Sequence, residues 1–304
     1  MATALARLLK DGCEFITRVD RPGVSFLPID GKAKFNDVCG DIRHSFDWEA
    51  LVRNTDIIFH FAAQTSAYVA NESPVDDVGI NVLPILHILE ACRKQKVKPA
   101  VLFASTVTVA GLPERIPVDE LRPDTPITIY DLHKQMAENY LKYYIKSGNV
   151  EGTVLRLSNV YGPGPESSHS DRGILNAMIR RAISGEPLTV YGKGNQVRDY
   201  IYVDDVARAF FIAAENIEKI NGRHFVIGSG EGHTIAEAMN LVAGRVALKT
   251  GIRAEVRHVE PPFPQSPIEA RNFVADASAF QEATGWHPRQ KIVGGIDLTV
   301  EALL

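Results

Sequence analysis

Short apolar runs rich in β-branched and aromatic residues alternate with helical periodicity through the first half of the chain. Runs at 14–19, 56–61, 100–104 and 152–157 predict strands, and segments at 48–53, 82–95 and 132–147 predict helices. Strands separated by helices cannot return as tight hairpins, so they pair in parallel with helices covering both sheet faces. The runs are almost continuously apolar, as strands buried on both faces must be. The fold class is therefore α/β, a doubly wound, Rossmann-like parallel sheet. Ligands of such sheets bind beyond the carboxyl ends of the strands. Asp20, Ala62, Ser105 and Ser158 each follow such an end, which gathers candidate site residues along one edge.

Four motifs fall along that edge. Tyr130-Asp-Leu-His-Lys134 puts a tyrosine one helical turn before a lysine, on one face. An ammonium there stabilises the phenolate and makes the phenol a proton acceptor and donor. Alone, the spacing reads first as two residues on a solvated helix face. Upstream, however, stands an apolar run ending in hydroxyls, Val101-Leu-Phe-Ala-Ser105-Thr106. Downstream come Arg156-Leu-Ser-Asn159-Val-Tyr161-Gly-Pro-Gly164 and Gln196-Val-Arg198-Asp-Tyr-Ile-Tyr-Val-Asp204-Asp205-Val. In this order the set resembles the extended short-chain dehydrogenase/reductases, the NAD-dependent nucleotide-sugar epimerase and dehydratase family, over almost the whole chain. UDP-glucose 4-epimerases are the members it resembles most.

The resemblance implies NAD as cofactor and a nucleotide-diphosphate sugar as substrate. It makes Tyr130 and Lys134 the proton-transfer pair and Thr106 the hydroxyl that steadies the substrate oxygen. Asp20 would accept the adenosine ribose hydroxyls, Asp41 and Ile42 would meet adenine, and Phe61-Ala62-Ala63 would pass beneath the cofactor. Read alone, Asp20 is also a loop acid before Arg21-Pro22, and small residues at 62–63 also suit tight strand–helix packing. Asn81 would support the cofactor turn, and at the head of a helix over 82–95 it also reads as an N-cap. Ser105, Tyr130, Lys134, Leu157, Ser158 and Val160 would line the nicotinamide end. Asn159 would meet the substrate with both a donor and an acceptor. Arg198 would reach the diphosphate, for which a guanidinium fork is suited, although beside Asp199 it also reads as a surface ion pair. Ser266 stands in register where the family has a second arginine, Glu269 where it has an acid reading a hydroxyl, and Arg271 is the substitute cation. His133 is expected to face solvent or cap the helix.

The reaction type follows from what accompanies Thr106. Family dehydratases carry Thr-Asp-Glu there, whereas Thr106-Val107-Thr108 offers no carboxyl, and the glutamate of the decarboxylases is missing as well. Ala110 replaces a family aromatic. What remains fits epimerisation through a keto-sugar, with reduction of a nucleotide 4-keto-sugar as the alternative. Family members also open with a buried strand and a Gly-x-x-Gly-x-x-Gly turn that cradles pyrophosphate at a helix N-terminus. This sequence opens on Met1-Ala-Thr-Ala-Leu-Ala-Arg-Leu-Leu-Lys-Asp-Gly12, a helix with Leu5, Leu8 and Leu9 on one face. The first strand and glycine turn are expected to be missing. A non-catalytic or fragmentary member with weak dinucleotide binding is thus a third reading.

After Gly164 a polar loop, a helix over 173–185 and a strand at 188–191 lead back to the main sheet at 204–216 and 224–227. The expected division is a dinucleotide-binding part, 1–162 and 195–228, and a smaller C-terminal α/β substrate lobe, 163–194 and 229–304. Pro261-Pro-Phe-Pro264 would be a rigid connector in that lobe. A net charge of -4 gives no field suited to nucleic acid, and no apolar run is long enough to span a membrane. Three cysteines without metal spacing suit reduced thiols in a cytoplasmic protein, with no metal site. Helices 82–95 and 132–147 carry Ile85, Ile88, Leu89 and Cys92, and Met136, Tyr140, Tyr143 and Tyr144. One stripe on each must cover the sheet. In the family these helices also pack against their twins, so a homodimer through them is expected.

Overall fold

A computed structural model describes residues 1–43, 46–164, 173–261 and 264–304. Ile57–His60, Ala100–Thr106, Glu151–Leu157 and His224–Ile227 form a four-stranded parallel sheet in that order. Phe15–Asp20 and Lys34–Cys39 pair in parallel as a second, separate sheet, so the parallel strands are not one continuous sheet. Period-two alternation explains how the larger sheet is covered. Ala100, Leu102 and Ala104 pack with Leu5, Val206 and Phe210 on one face. Val101 and Phe103 pack with Ile85, Leu89 and Leu141 on the other. All seven residues of Ala100–Thr106 are buried, which is why the run carries no charge. Truncating Leu102 to alanine would cost about 2–5 kcal/mol through lost burial and the cavity left behind.

The C-terminal region builds its own core around Leu175, Ile179, Leu188, Val190, Met239, Val242 and Ile296. Leu188–Tyr191 pairs in parallel with Val256–Val259. Val197–Tyr202 lies between Asn159–Tyr161 and Gly232–Thr234. Helix Ile235–Thr250 starts with a reciprocal cap. Glu237 N–H donates to the Thr234 hydroxyl at 3.1 Å, and Thr234 N–H donates to the Glu237 carboxylate at 2.9 Å. It stops at Gly251, whose φ of 78° suits the left-handed C-terminal position. Among the described residues no helix is long and apolar enough to cross a membrane.

Two expectations need correction. Asn81 does not open a helix: it is the last residue of Pro74–Asn81, and Val82 caps the following helix Leu83–Gln95. Pro74 starts that extra turn of chain, since proline suits the first helical position. Leu8 is 44% exposed while Leu5 is buried, so the apolar face of Ala2–Leu9 is narrower than its leucines suggest. The polar loop at 165–172 and the prolyl connector at 262–263 lie outside the described residues.

Candidate active site

Because the strands are parallel, their carboxyl ends share an edge, and the chain turns there in each case. Asp20 ends its strand exposed, its carboxylate accepting Arg21 N–H at 2.7 Å. Asp41 is held by Arg43, whose Nε donates at 2.9 Å, and Ile42 is half-buried beside it. Phe61 turns away from the edge and packs edge-on against Phe210 at 4.7 Å, leaving exposed Ala62 and half-buried Ala63 as the small surface. At the neighbouring end Thr106 and Thr108 share a hydroxyl–hydroxyl hydrogen bond of 2.8 Å. Leu157 and Ser158 are buried at the end of the next strand, with Asn159 and Val160 half-buried after them.

Helix Ile129–Lys146 brings Tyr130 and Lys134 to this edge. Thr128 caps it, its hydroxyl accepting Asp131 N–H at 3.2 Å. Tyr130 is 8% exposed and Lys134 2%. The Lys134 ammonium donates to the Ala104 carbonyl at 2.6 Å and lies 4.1 Å from the centre of the Phe103 ring. Burial pulls its pKa down to about 7, against the opposing pull of Glu138 and Asp77. The same burial, with Lys134 as a like charge, holds His60 down at about 3.

One turn further along, the helix carries a tie that sequence reading did not find. Glu138 is fully buried and accepts Ser105 Oγ–H at 2.5 Å and Arg156 Nη2–H at 2.7 Å. Arg156 also grips Asp124 through Nη1 at 2.6 Å and Nη2 at 2.8 Å. Burial alone would favour a neutral Asp124, but Arg156 reverses this and its pKa is lowered. Ser105 thus faces Glu138. The available signal was a charged residue inside an apolar strand, which must be paired to be buried. Partner identity is a tertiary fact.

His133 is neither solvent-facing nor a cap. It is buried, with Nδ1 2.7 Å from Asp77 Oδ2. Asp77 also accepts from Gln64 Nε2 at 2.8 Å and Asn81 Nδ2 at 2.9 Å, so Asn81 braces the turn after His60 rather than capping a helix. Its other amide atom, Oδ1, is buried with no hydrogen-bond partner among the described residues. Ser158 Oγ donates at 3.3 Å to Asp199, a buried carboxylate that also collects the N–H groups of Ser229, Gly230 and Ala275. Asp199, too, was missed. Beside it the Arg198 guanidinium donates to the carbonyls of Glu269, at 2.9 Å, and Arg271, and pairs with the Glu269 carboxylate at 3.6 Å. Arg271 is 7% exposed, and burial together with Arg198 lowers its pKa to about 10. Ser266, the register position of a second arginine, donates its N–H to Tyr68 Oη at 3.0 Å. Among the described residues, no cluster of three or more His, Cys, Asp or Glu could hold a metal ion.

Comparison with known proteins identifies the family. A protein of Methanocaldococcus jannaschii, provisionally named a UDP-glucose 4-epimerase, is 31% identical over 275 residues, covering 90% of this chain and 84% of that one. The UDP-glucose 4-epimerase of Mycolicibacterium smegmatis is 30% identical, over 81% of this chain and 75% of its own. The solved UDP-glucose 4-epimerase of Thermus thermophilus, in complex with NAD, superposes with a TM-score of 0.82 at 30% identity, covering 99% of this chain and 94% of that one. The sequence profile of the NAD dependent epimerase/dehydratase family matches residues 2–228. The chain belongs to the NAD-dependent epimerase/dehydratase family.

Proposed function

We propose that the protein epimerises a nucleotide-diphosphate sugar through a keto-sugar intermediate, with NAD as the redox partner. The observation that carries this reading is that Tyr130 and Lys134 are buried on one helix, with the Lys134 ammonium on the Ala104 carbonyl two residues before Thr106, and that no Asp-Glu pair follows Thr106 to eliminate water. Tyr130 takes the proton of the sugar hydroxyl and later returns it. Lys134, protonated, stabilises the phenolate across a buried site where opposite charges are weakly screened. Thr106 donates to the oxygen as it becomes a ketone. NAD, when bound, accepts the hydride and gives it back.

The residues at the ribose and nicotinamide ends suit that cofactor. Asp20 stands open to ribose hydroxyls, and Ala62-Ala63 leave room for close approach. Asn81 Oδ1 awaits a donor. Asp41 and Ile42 would flank adenine, and Phe61 would support the turn from behind. Ser105, Leu157, Ser158 and Val160 would shape the nicotinamide end. Asn159, Arg198, Glu269 and Arg271 would meet the substrate, Arg198 chiefly by holding the Glu269–Arg271 segment in place. In this reading 1–162 and 195–228 serve the cofactor, 163–194 and 229–304 the sugar nucleotide, and the protein works in the cytoplasm. A homodimer through Leu83–Gln95 and Ile129–Lys146 is supported by exposed Leu83, Leu132, Tyr140 and Tyr143 on those two helices. Incubation with NAD and UDP-glucose should yield the 4-epimer with no net NADH. Steady NADH consumption with a 4-keto-sugar, and no epimer, would replace this reading with a ketoreductase.

A further inference from the structure

Asp131 directly follows the proton-transfer tyrosine. Asp131 is 1% exposed, and among the described residues neither carboxylate oxygen has a hydrogen-bond partner. An acid in the first turn of a helix commonly completes a cap by accepting the backbone N–H of the capping residue. Asp131 does not do this: its own N–H is taken by Thr128, while its side chain points elsewhere. Burial raises its pKa. The hydroxyls of Thr108 and Thr128 and the charge of Arg271 act against that rise, yet none closes a hydrogen bond on it. Arg271 is in the same condition. It is 93% buried by its 7% exposure, its Nε has no partner among the described residues, and it senses the charges of both Asp131 and Tyr130. Burying an acceptor and a donor near one another without joining them is costly, and a third group that satisfies both removes the cost.

We propose that Asp131 and Arg271 hold the hydroxyls of a neutral sugar ring beside Tyr130, Asp131 accepting O–H and Arg271 donating N–H. This deepens the nucleotide-sugar reading above and rests on it. A sugar hydroxyl donates and accepts at once, so neighbouring hydroxyls of one ring match a carboxylate and a guanidinium. An anionic substituent brought to Asp131 would be repelled, so the site selects a hexose over a hexuronate there.

Titration calorimetry with UDP, UDP-glucose and UDP-glucuronic acid tests this without turnover. The wild type should bind UDP-glucose more tightly than UDP, and more tightly than UDP-glucuronic acid. Asp131→Asn and Asp131→Ala should each shrink the UDP-glucose advantage about 10- to 100-fold, the worth of a hydrogen bond to a charged group, with UDP affinity unchanged. Thermal melting of both variants checks that they fold, and the asparagine variant preserves the side-chain shape. An advantage that survives in both variants, or is missing from the wild type, overturns the proposal alone. Wild-type protein that binds none of the three overturns the nucleotide-sugar reading with it.

Discussion

Two turns of helix Ile129–Lys146 bury charge in opposite ways. Around Glu138, each carboxylate, guanidinium and hydroxyl is matched: Ser105, Arg156 and Asp124 close on one another, and none of their buried side-chain atoms lacks a partner. Around the helix start, Asp131, Arg271, Asn81 and His60 keep buried polar atoms with no hydrogen-bond partner among the described residues. The matched group is spent on the fold. It ties the helix carrying Tyr130 to strands Ala100–Thr106 and Glu151–Leu157. The unmatched group lowers stability in isolation and gains its partners from whatever enters the site. Substitution should therefore separate the two: activity without stability at one end of the helix, stability first at the other.

The largest effect expected is on turnover. Tyr130→Phe removes only the phenolic oxygen, and the rate should fall about 100- to 10,000-fold, the usual worth of a positioned proton-transfer group. Urea denaturation should move by less than about 0.5 kcal/mol. A variant that unfolds early would place Tyr130 with the structural tie and erase the contrast.

Arg156→Met should do the reverse. It leaves Glu138 buried without its main cation, and breaking such a pair from one side costs about 3–5 kcal/mol. Adding Glu138→Leu should recover much of the loss, because the fully buried carboxylate is then gone and Asp124, which also loses Arg156, is partly exposed. If the single variant lost under about 1 kcal/mol in urea denaturation, the tie would not be what secures the helix.

Sequence reading reached the two ends of this helix unequally, for a physical reason. Apolar periodicity reports which side chains leave water, so strands at 100–104 and 152–157 were placed within two residues of their observed ends, and Tyr130 and Lys134 fell on the helix and edge expected. Periodicity carries nothing about which buried charge meets which. Glu138 and Arg156 meet only once helix and sheet have packed. His133 read as a surface residue because its partner, Asp77, sits on a helix whose existence depended on recognising Pro74 as a start. Arg198 read as a ligand for phosphate, while its guanidinium is in fact largely committed to backbone carbonyls. A sequence shows that a donor exists, not what the fold has already asked of it.

A smaller effect is expected at Asp131. Replacing an unmatched buried carboxylate by an amide lowers the cost of burial, so Asp131→Asn should raise stability by about 1 kcal/mol while weakening the site. Destabilisation on that scale in urea denaturation would mean the carboxylate already serves the fold.

The smallest effect at neutral pH belongs to His60, and its sign follows from linkage. Its pKa is about 3 in the folded chain, chiefly through burial and secondarily through Lys134, against an ordinary 6.5. More than about one unit above its ordinary pKa both folded and unfolded chains hold it neutral, so its titration contributes nothing to the pH dependence there. As pH falls from 6.5 toward 3 the unfolded chain takes up a proton that the folded chain refuses, and stability drops. The difference should be just under about 1 kcal/mol at pH 6, and steepen toward about 1.4 kcal/mol per pH unit below it. His60→Gln cannot titrate. The stability of wild type minus variant should therefore be flat above about pH 7.5, begin to fall through 6.5 and fall more steeply below it. A difference that stays level down to pH 5 would mean that His60 gains a proton in the folded chain. It would then have a partner there, and would move from the unmatched end of the comparison to the matched one.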